Sequence, residues 1–247
     1  MTNLDYAKVE KVLVGWLQER IREVGALGAV VGLSGGLDSA VTAVLCQKAF
    51  PENFLGVIMP CYSNEEDEQD AVLLAEKFGI KYINRDLGGV FDEFLMILQG
   101  SREKEENLAL ANIKPRLRMI TLYYYASRHN YLVVGTDNWS ELKTGYFTKY
   151  GDGGVDLIPL GRLVKSEVRE LARYLAIPEK IINKTPSAGL WQDQTDEKEM
   201  GISYELLDKY ILTGEAEETV RERIEELARK NAHKIKPIPI PERSLLG

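Results

Sequence analysis

Apolar residues recur at three- and four-residue intervals from Val9 through Val12, Leu13, Trp16, Leu17, Ile21 and Val24, a spacing that lines them up on one face of a helix. The spacing predicts a first helix over residues 3–24, ended by Gly25 or Gly28. The pattern then changes to short apolar runs separated by helical stretches. Ala29 to Leu33 reads as a strand, Leu37 to Ala49 as a helix, Leu55 to Met59 as a strand, Glu65 to Phe78 as a helix and Lys81 to Asn84 as a short strand. Val90 to Leu98 and Leu108 to His129 follow as helices, and Tyr131 to Gly135 as a further strand. This alternation implies an α/β fold, a doubly wound, mostly parallel sheet with right-handed crossovers and helices on both faces. Ligands in such sheets bind beyond the strand C-termini, near the point where strand order reverses.

The second half is less regular. Gly145, Gly151, Gly153 and Gly154 disfavour any regular element between Gly145 and Asp156, which reads as an ordered loop. Ser166 to Tyr174, Tyr204 to Leu212 and Glu217 to Ala232 carry helical spacing, and Asn183 to Glu199 reads as a mobile loop. Lys236-Pro237-Ile238-Pro239-Ile240-Pro241 must be extended, because each proline fixes φ and disfavours helix in the residue before it. The expected organisation is one domain over 1–247 with an extended C-terminal tail from 233.

Composition narrows the possibilities. A chain of 247 residues with 45% hydrophobic content can bury the core of one substantial domain. Its apolar runs fall far short of the roughly 18 to 20 residues of a membrane span. Met1-Thr2-Asn3-Leu4-Asp5 lacks a secretory pattern, so a cytoplasmic protein without a membrane partner is expected. Cys46 and Cys61 have no CxxC spacing, which suits a reducing compartment and argues against a cysteine zinc site. A formal charge of −7 disfavours a broad nucleic-acid surface. His129 and His233 are too few for a histidine-rich metal centre, and each taken alone reads as a surface residue.

Ser34-Gly35-Gly36-Leu37-Asp38-Ser39 joins the first predicted strand to the next helix. Glycines let the backbone take positive φ and approach a ligand, and the helix start offers unpaired N–H groups to phosphate. Ser34 and Ser39 add hydroxyls. A carboxylate beside a polyphosphate would be repelled unless a divalent cation, most naturally Mg²⁺, lay between them, so Asp38 points to a metal–nucleotide complex. Neither the Walker loop, which needs Lys before Ser or Thr, nor the three-glycine dinucleotide fingerprint fits this string. The string resembles instead the pyrophosphate loop of the ATP pyrophosphatases, enzymes that split ATP into AMP and pyrophosphate.

A second constellation follows the strand at Tyr131. In a parallel sheet, Gly135-Thr136-Asp137-Asn138-Trp139-Ser140-Glu141 lies on the same edge as the first loop, so Glu141 can offer a second carboxylate to the cation held by Asp38. Lys143, Lys149, Arg162 and Lys165 supply positive charge for a polyphosphate or a developing transition state. Without further information, Glu141 and Lys165 are equally well read as surface groups, and Arg116 and Arg118 as a solvated helix face.

These motifs together resemble the ammonia-dependent NAD synthetases. The matching segments are the SGGxDS loop, Asn112-Ile113-Lys114-Pro115-Arg116-Leu117-Arg118-Met119, the GTDxxxE turn ending at Glu141, the loop Thr144-Gly145-Tyr146-Phe147-Thr148-Lys149-Tyr150-Gly151-Asp152-Gly153-Gly154, and His233-Lys234. The resemblance implies that Gly32, Leu33, Ser34, Gly35, Gly36, Leu37, Asp38 and Ser39 hold ATP phosphates, that Thr136, Lys165 and Ser187 contact ATP, and that Asp38 and Glu141 bind Mg²⁺. It makes Asp38, Glu141 and Lys165 the catalytic set. It assigns Arg116, Lys149, Asp156, His233 and Lys234, with Asn112, Arg118 and Tyr123, to deamido-NAD. The implied reaction amidates deamido-NAD with free ammonia through an adenylate, in a homodimer. A separate glutaminase partner stays open.

This sequence departs from the resemblance at Ser187, where the family often has Thr, at Trp139, and at Val57-Ile58-Met59, where relatives often carry an Arg for adenine. Two other readings stand beside it: another ATP pyrophosphatase that modifies transfer RNA by sulfur transfer or lysidine formation, and a module that holds ATP without turnover. The first usually needs redox cysteines or a basic RNA surface, which the sequence lacks.

Overall fold

The computed structural model describes residues 4–98, 108–187, 189 and 194–243. Its centre is a four-stranded, all-parallel sheet of β1 (Gly28–Gly32), β2 (Phe54–Ile58), β3 (Tyr82–Asn84) and β4 (Tyr131–Val133), in the order β3-β2-β1-β4. The chain steps outward from β1 to β3 and then returns to the other side of β1. Strand order therefore reverses between β1 and β4, whose register pairs Gly28 with Tyr131 and Val30 with Val133. At such a reversal the turns leaving the two strands diverge to opposite faces and leave a crevice at the carboxyl edge.

One face of the sheet is covered by α1 (Tyr6–Glu23), α2 (Leu37–Ala49), α3 (Glu65–Phe78), α8 (Lys165–Tyr174) and α9 (Glu179–Ile182), which share a core containing Leu17, Val44, Leu74, Leu171 and Ile181. The other face is covered by α4 (Gly88–Ile97) and α6 (Ile113–His129), packed on Val30, Val57 and Val133. The four-residue α5 (Leu108–Ala111) precedes α6. Beyond the carboxyl edge, α7 (Trp139–Thr144), α10 (Asp196–Met200), α11 (Tyr204–Thr213) and α12 (Glu218–Ile235) gather around a smaller core of Met200, Ile202, Tyr204, Leu207 and Ile224.

Local chemistry sets many boundaries. The Asp5 side chain caps α1, Asn64 caps α3, and Gly79 closes α3 in the left-handed conformation. Four expectations need correction. The helix expected over Leu108 to His129 is interrupted at Asn112, the N-cap of α6, which places Pro115 in the first turn where proline is tolerated. The segment read as a loop over Asn183 to Glu199 contains α10, while Trp191 within it lies outside the described residues. The GTDxxxE turn runs into a short helix, α7. His233 and Lys234 lie in the last turn of α12 and not in an extended tail; residues 236–242 form neither helix nor strand.

A buried ion-pair cluster joins α3 to α9 and to the segment after it. Asp70, 1% exposed, accepts from Lys180 at 2.9 Å and Lys184 at 2.5 Å, and Lys184 also meets Asp67 at 2.7 Å. Burial pushes the Asp70 carboxyl up, but the hydrogen bonds from the two lysines outweigh it and leave the pKa below its ordinary value. A lowered carboxylate pKa adds stability above the unfolded value of about 3.9, and that stability is lost as pH falls through the folded value. Asp70→Asn is therefore expected to melt below the parent at neutral pH, with the two melting temperatures converging below about pH 4. A constant gap in calorimetry across that range would show that Asp70 acts by shape alone.

Candidate functional site

The loop after β1 is shaped by its own hydroxyls. Ser34 Oγ accepts from Gly36 N at 3.2 Å and lies 2.9 Å from Ser39 Oγ, which donates to the Gly36 carbonyl at 3.0 Å. Gly35 has a φ of +75°, and a Cβ there would fall 2.1 Å from the Asp67 carbonyl, so both the conformation and the space demand glycine. The α2 N-cap is Gly36, which has no side chain to satisfy the first N–H groups of the helix. These donors sit at the carboxyl edge of β1 and form an anion cradle.

Asp38, in the first turn of α2, faces the turn that follows β4. There Asn138 and Glu141 form a capping box: the Asn138 side chain accepts from Glu141 N at 3.1 Å, and Glu141 Oε2 accepts from Asn138 N at 2.9 Å. The box fixes the rotamer of Glu141 and leaves Oε1 free to point inward. Asn138, fully buried, spends its remaining group on Asp38, donating from Nδ2 to Oδ1 at 2.9 Å. Asn138 thus aligns both carboxylates. Asn138 is absent from the expected site residues, although Asn followed three residues later by Glu is a legible capping signal.

The third member arrives from α8. Lys165 is the first residue of that helix, where a cation is unfavourable against the helix dipole. Its position has another cause: Nζ lies 2.5 Å from Asp38 Oδ2 and 3.2 Å from Glu141 Oε1, with the side chain 4% exposed. Burial alone would lower the Lys165 pKa, but the two carboxylates raise it overall, so the ammonium is charged. Burial pushes Glu141 up to about 7, against the pull of Lys165 and with a further push from Asp38. Ser140 Oγ accepts from Lys165 N at 3.1 Å and donates to Asp208 at 2.6 Å, which ties α7, α8 and α11 together beneath the site.

More buried acid groups surround this trio than one lysine can pair. Asp137 and Asp196 are both buried, and each has a carboxylate oxygen without a hydrogen-bond partner among the described residues. Burial first, and then the charges of Asp152, Glu141 and Asp38, hold the Asp137 carboxyl well above its ordinary pKa. Among the described residues no group of three or more His, Cys, Asp and Glu side chains is arranged to hold a metal alone. The fit is to a hard cation that takes one or two carboxylate oxygens and completes its shell with phosphate and water, as Mg²⁺ does.

The remaining candidates fall in separate places. Gly32 ends β1, Leu33 and Leu37 are core residues flanking the loop, and Thr136 is half-buried between β4 and α7. Ser187 is exposed and its hydroxyl accepts from Gly189 N at 3.1 Å. Arg116 Nη2 donates to the Lys149 carbonyl at 3.3 Å, Lys149 Nζ to the His233 carbonyl at 2.7 Å, and Lys234 Nζ to the carbonyls of Gly145 and Phe147 at 2.7 and 2.8 Å. Asn112 accepts from Thr148 Oγ1 at 2.7 Å. The glycine-rich loop therefore rests between the start of α6 and the end of α12. Asp156 holds the end of β4, accepting from Val133 N at 2.8 Å, and also accepts from Tyr123 OH at 2.9 Å. Arg118 stands apart, donating to the Met59 carbonyl at 3.2 Å and Ser63 Oγ at 3.1 Å beyond β2. Trp139 carries Arg162 over its ring at 5.6 Å.

Comparison with known proteins gives the site a context. The family model described as NAD synthase matches residues 9–238. The NH(3)-dependent NAD(+) synthetase of Carboxydothermus hydrogenoformans is 57% identical over 233 residues, covering 94% of this chain and 95% of its own length. The protein of the same name from Finegoldia magna is 47% identical, covering 94% and 95%. Among solved structures, NMN synthetase from Francisella tularensis superposes with a TM-score of 0.91 at 38% identity, over 97% of this chain and 99% of that one. NH3-dependent NAD synthetase from Campylobacter jejuni does so with a TM-score of 0.80 at 32% identity, over 97% and 100%.

Proposed function

This chain belongs to the NAD synthase family, and from that premise we infer that it joins ammonia to the carboxylate of deamido-NAD in a reaction driven by ATP. The site observation that best supports the reading is the convergence of Asp38 and Glu141 on Lys165 beside an anion cradle at the strand-order reversal.

The chemistry explains why such a set is needed. A carboxylate is a poor electrophile toward ammonia, because its oxygen is a poor leaving group. In the proposed reaction an oxygen of the nicotinic acid carboxylate attacks the α-phosphorus of ATP as the bond to pyrophosphate breaks. Ammonia then attacks the carbonyl carbon, AMP departs with the former carboxylate oxygen, and the surplus proton passes to solvent. The N–H groups at the start of α2 bind the phosphates, and Lys165 follows the charge that spreads onto them. Asp38 and Glu141 would hold Mg²⁺, which when bound supplies charge neutralisation to the phosphates. Arg116, Lys149, Asp156, His233 and Lys234, with Asn112, Arg118 and Tyr123, orient the dinucleotide, while Thr136 and Ser187 complete the ATP contacts. No side-chain nucleophile is required, since alignment and electrostatics carry the acceleration. Cys46 and Cys61, both free and buried, take no part and suit a reducing cytoplasm. Among the described residues no helix is long and apolar enough to cross a membrane.

The active unit is proposed to be a homodimer formed through α6, where Ile120 and Tyr124 are exposed at 60% and 55%. The solved structure named for NMN suggests a second acceptor, the mononucleotide bearing the same carboxylate. One assay separates these readings. With ATP, Mg²⁺ and ammonium, deamido-NAD is expected to yield equal amounts of AMP, pyrophosphate and NAD, and to be used in preference to nicotinic acid mononucleotide. Preferred turnover of the mononucleotide would reassign the substrate, and ATP binding without AMP would leave a non-catalytic module.

A further inference from the structure

Tyr204 is the first residue of α11, in the small core beyond the sheet edge, and it is 4% exposed. Packing alone would be served by phenylalanine, which fills the same volume without burying a hydroxyl. The hydroxyl instead lies 3.2 Å from Glu141 Oε1 and 2.9 Å from Asp196 Oδ2. The ring of the same side chain lies under Lys165, with Nζ 4.9 Å from its centroid. One buried residue therefore touches both the carboxylate and the ammonium of the candidate ATP site.

Asp196 ties this residue to a wider frame. It starts α10, is 4% exposed, and its backbone N donates to the Pro186 carbonyl at 3.1 Å, next to Ser187. Glu199, one turn along α10, accepts from Tyr146 in the glycine-rich loop. α10 thus stands between the ATP side of the site and the loop that carries Lys149, with Tyr204 as its link to the ATP side.

The need for such a link appears when the partners of Lys165 change. Asp38 and Glu141 hold the ammonium directly. Once those carboxylates turn to a metal–phosphate complex, Lys165 loses two partners, and a side chain with four rotatable bonds loses its aim unless another contact restrains it. An aromatic face restrains a desolvated ammonium without competing for its hydrogen bonds to phosphate. The phenol does the same for Glu141, whose Oε2 is already fixed by the capping box.

We propose that Tyr204, anchored by Asp196, is a positioning residue for adenylation: its hydroxyl sets Glu141 Oε1 for the divalent cation and its ring keeps Lys165 trained on the phosphates. The proposal rests on the assignment of Asp38, Glu141 and Lys165 to ATP. It is tested by Tyr204→Phe, which keeps the ring, and Tyr204→Leu, which removes ring and hydroxyl together. Mn²⁺ affinity is read by electron paramagnetic resonance in the presence of α,β-methylene-ATP, whose bridging carbon prevents cleavage at the reacting bond. Tyr204→Phe is expected to weaken Mn²⁺ binding about tenfold, the scale of one hydrogen bond to a charged group, with the KM for deamido-NAD and the melting temperature little changed. Tyr204→Leu is expected in addition to slow pyrophosphate release by about tenfold or more. Asp196→Asn, which keeps the shape of the anchor, reads the same Mn²⁺ affinity should Tyr204→Leu fail to fold, and a loss of a few-fold is expected.

Parent-like Mn²⁺ affinity in Tyr204→Phe would overturn the proposal. So would a parallel decline of Mn²⁺ binding, deamido-NAD binding and melting temperature, which marks general loosening. If the parent protein itself forms no AMP from ATP and deamido-NAD, it is the assignment of the site that fails, and the Mn²⁺ titrations of the variants still report on Tyr204.

Discussion

Asp38→Ala is expected to suppress AMP formation by a factor of about a thousand or more while leaving the protein folded. The activity loss has two sources, because Asp38 is both a candidate cation ligand and the nearer of the two carboxylates that aim Lys165, at 2.5 Å. The fold should survive because the substitution leaves Lys165 paired with Glu141 at 3.2 Å, so no buried charge is stranded. Among the described residues the other side-chain hydrogen bond lost is the one from Asn138, and that residue keeps its place through the capping box. Pyrophosphate release and thermal melting, followed on one preparation, check both halves. A folded Asp38→Ala protein that releases pyrophosphate at the parent rate would remove this residue from the mechanism.

Lys165→Met should be damaging in a different way. It removes the cation that two carboxylates share, and Asp137 and Asp196 already add buried acid nearby. Stranding the partners of a buried pair costs about 3–5 kcal/mol, and losing a charged donor to the reacting phosphates slows catalysis about 10²- to 10³-fold. The sign of the pH effect follows from Glu141. Its pKa already stands at about 7 with Lys165 present, and without that cation it rises further. A carboxylate raised in the folded state contributes stability that is full below its unfolded value of about 4.3 and is lost as pH rises through its folded value. The stability deficit of Lys165→Met should therefore be smallest in acid and widen through neutral pH. Mg²⁺ with ATP should raise its melting temperature more than that of the parent, because a divalent ion replaces the missing charge. A deficit independent of pH and Mg²⁺ would mean that Lys165 serves packing alone.

The sheet and its main helices were legible because they carry long or uniform patterns. Val30, Val31 and Val57 sit in strands buried on both faces, and α1, α2 and α3 present apolar faces over several turns. The shorter elements were not. α9 and α10 have four and five residues, too few for a helical period to emerge, and α7, with six, read as a turn. His233 and Lys234 were placed in the tail because the prolines from Pro237 onward break any helix, but the break takes effect only at Lys236. At the site, Asp38 and Glu141 were reachable from motifs attached to strand ends, and Lys165 was singled out only through the family resemblance. Asn138 was reachable through its capping spacing. Asp137 lies inside the GTDxxxE turn, where the motif draws attention to Glu141 instead. Asp196 and Tyr204 carry no local signal, since a lone acid in a loop or a tyrosine in a helical pattern acquires its meaning only from the elements folded against it. The ion cluster at Asp70 is of the same kind, joining residues more than a hundred positions apart in sequence.

Activation of the carboxylate by bonding of its oxygen to the α-phosphorus can be followed by oxygen tracing. Deamido-NAD labelled with ¹⁸O in both oxygens of its nicotinic acid carboxylate is turned over with unlabelled ATP and ammonium, and the products are weighed by mass spectrometry. One ¹⁸O in each AMP, one retained in each NAD and none in pyrophosphate is the predicted result. AMP without label would contradict it.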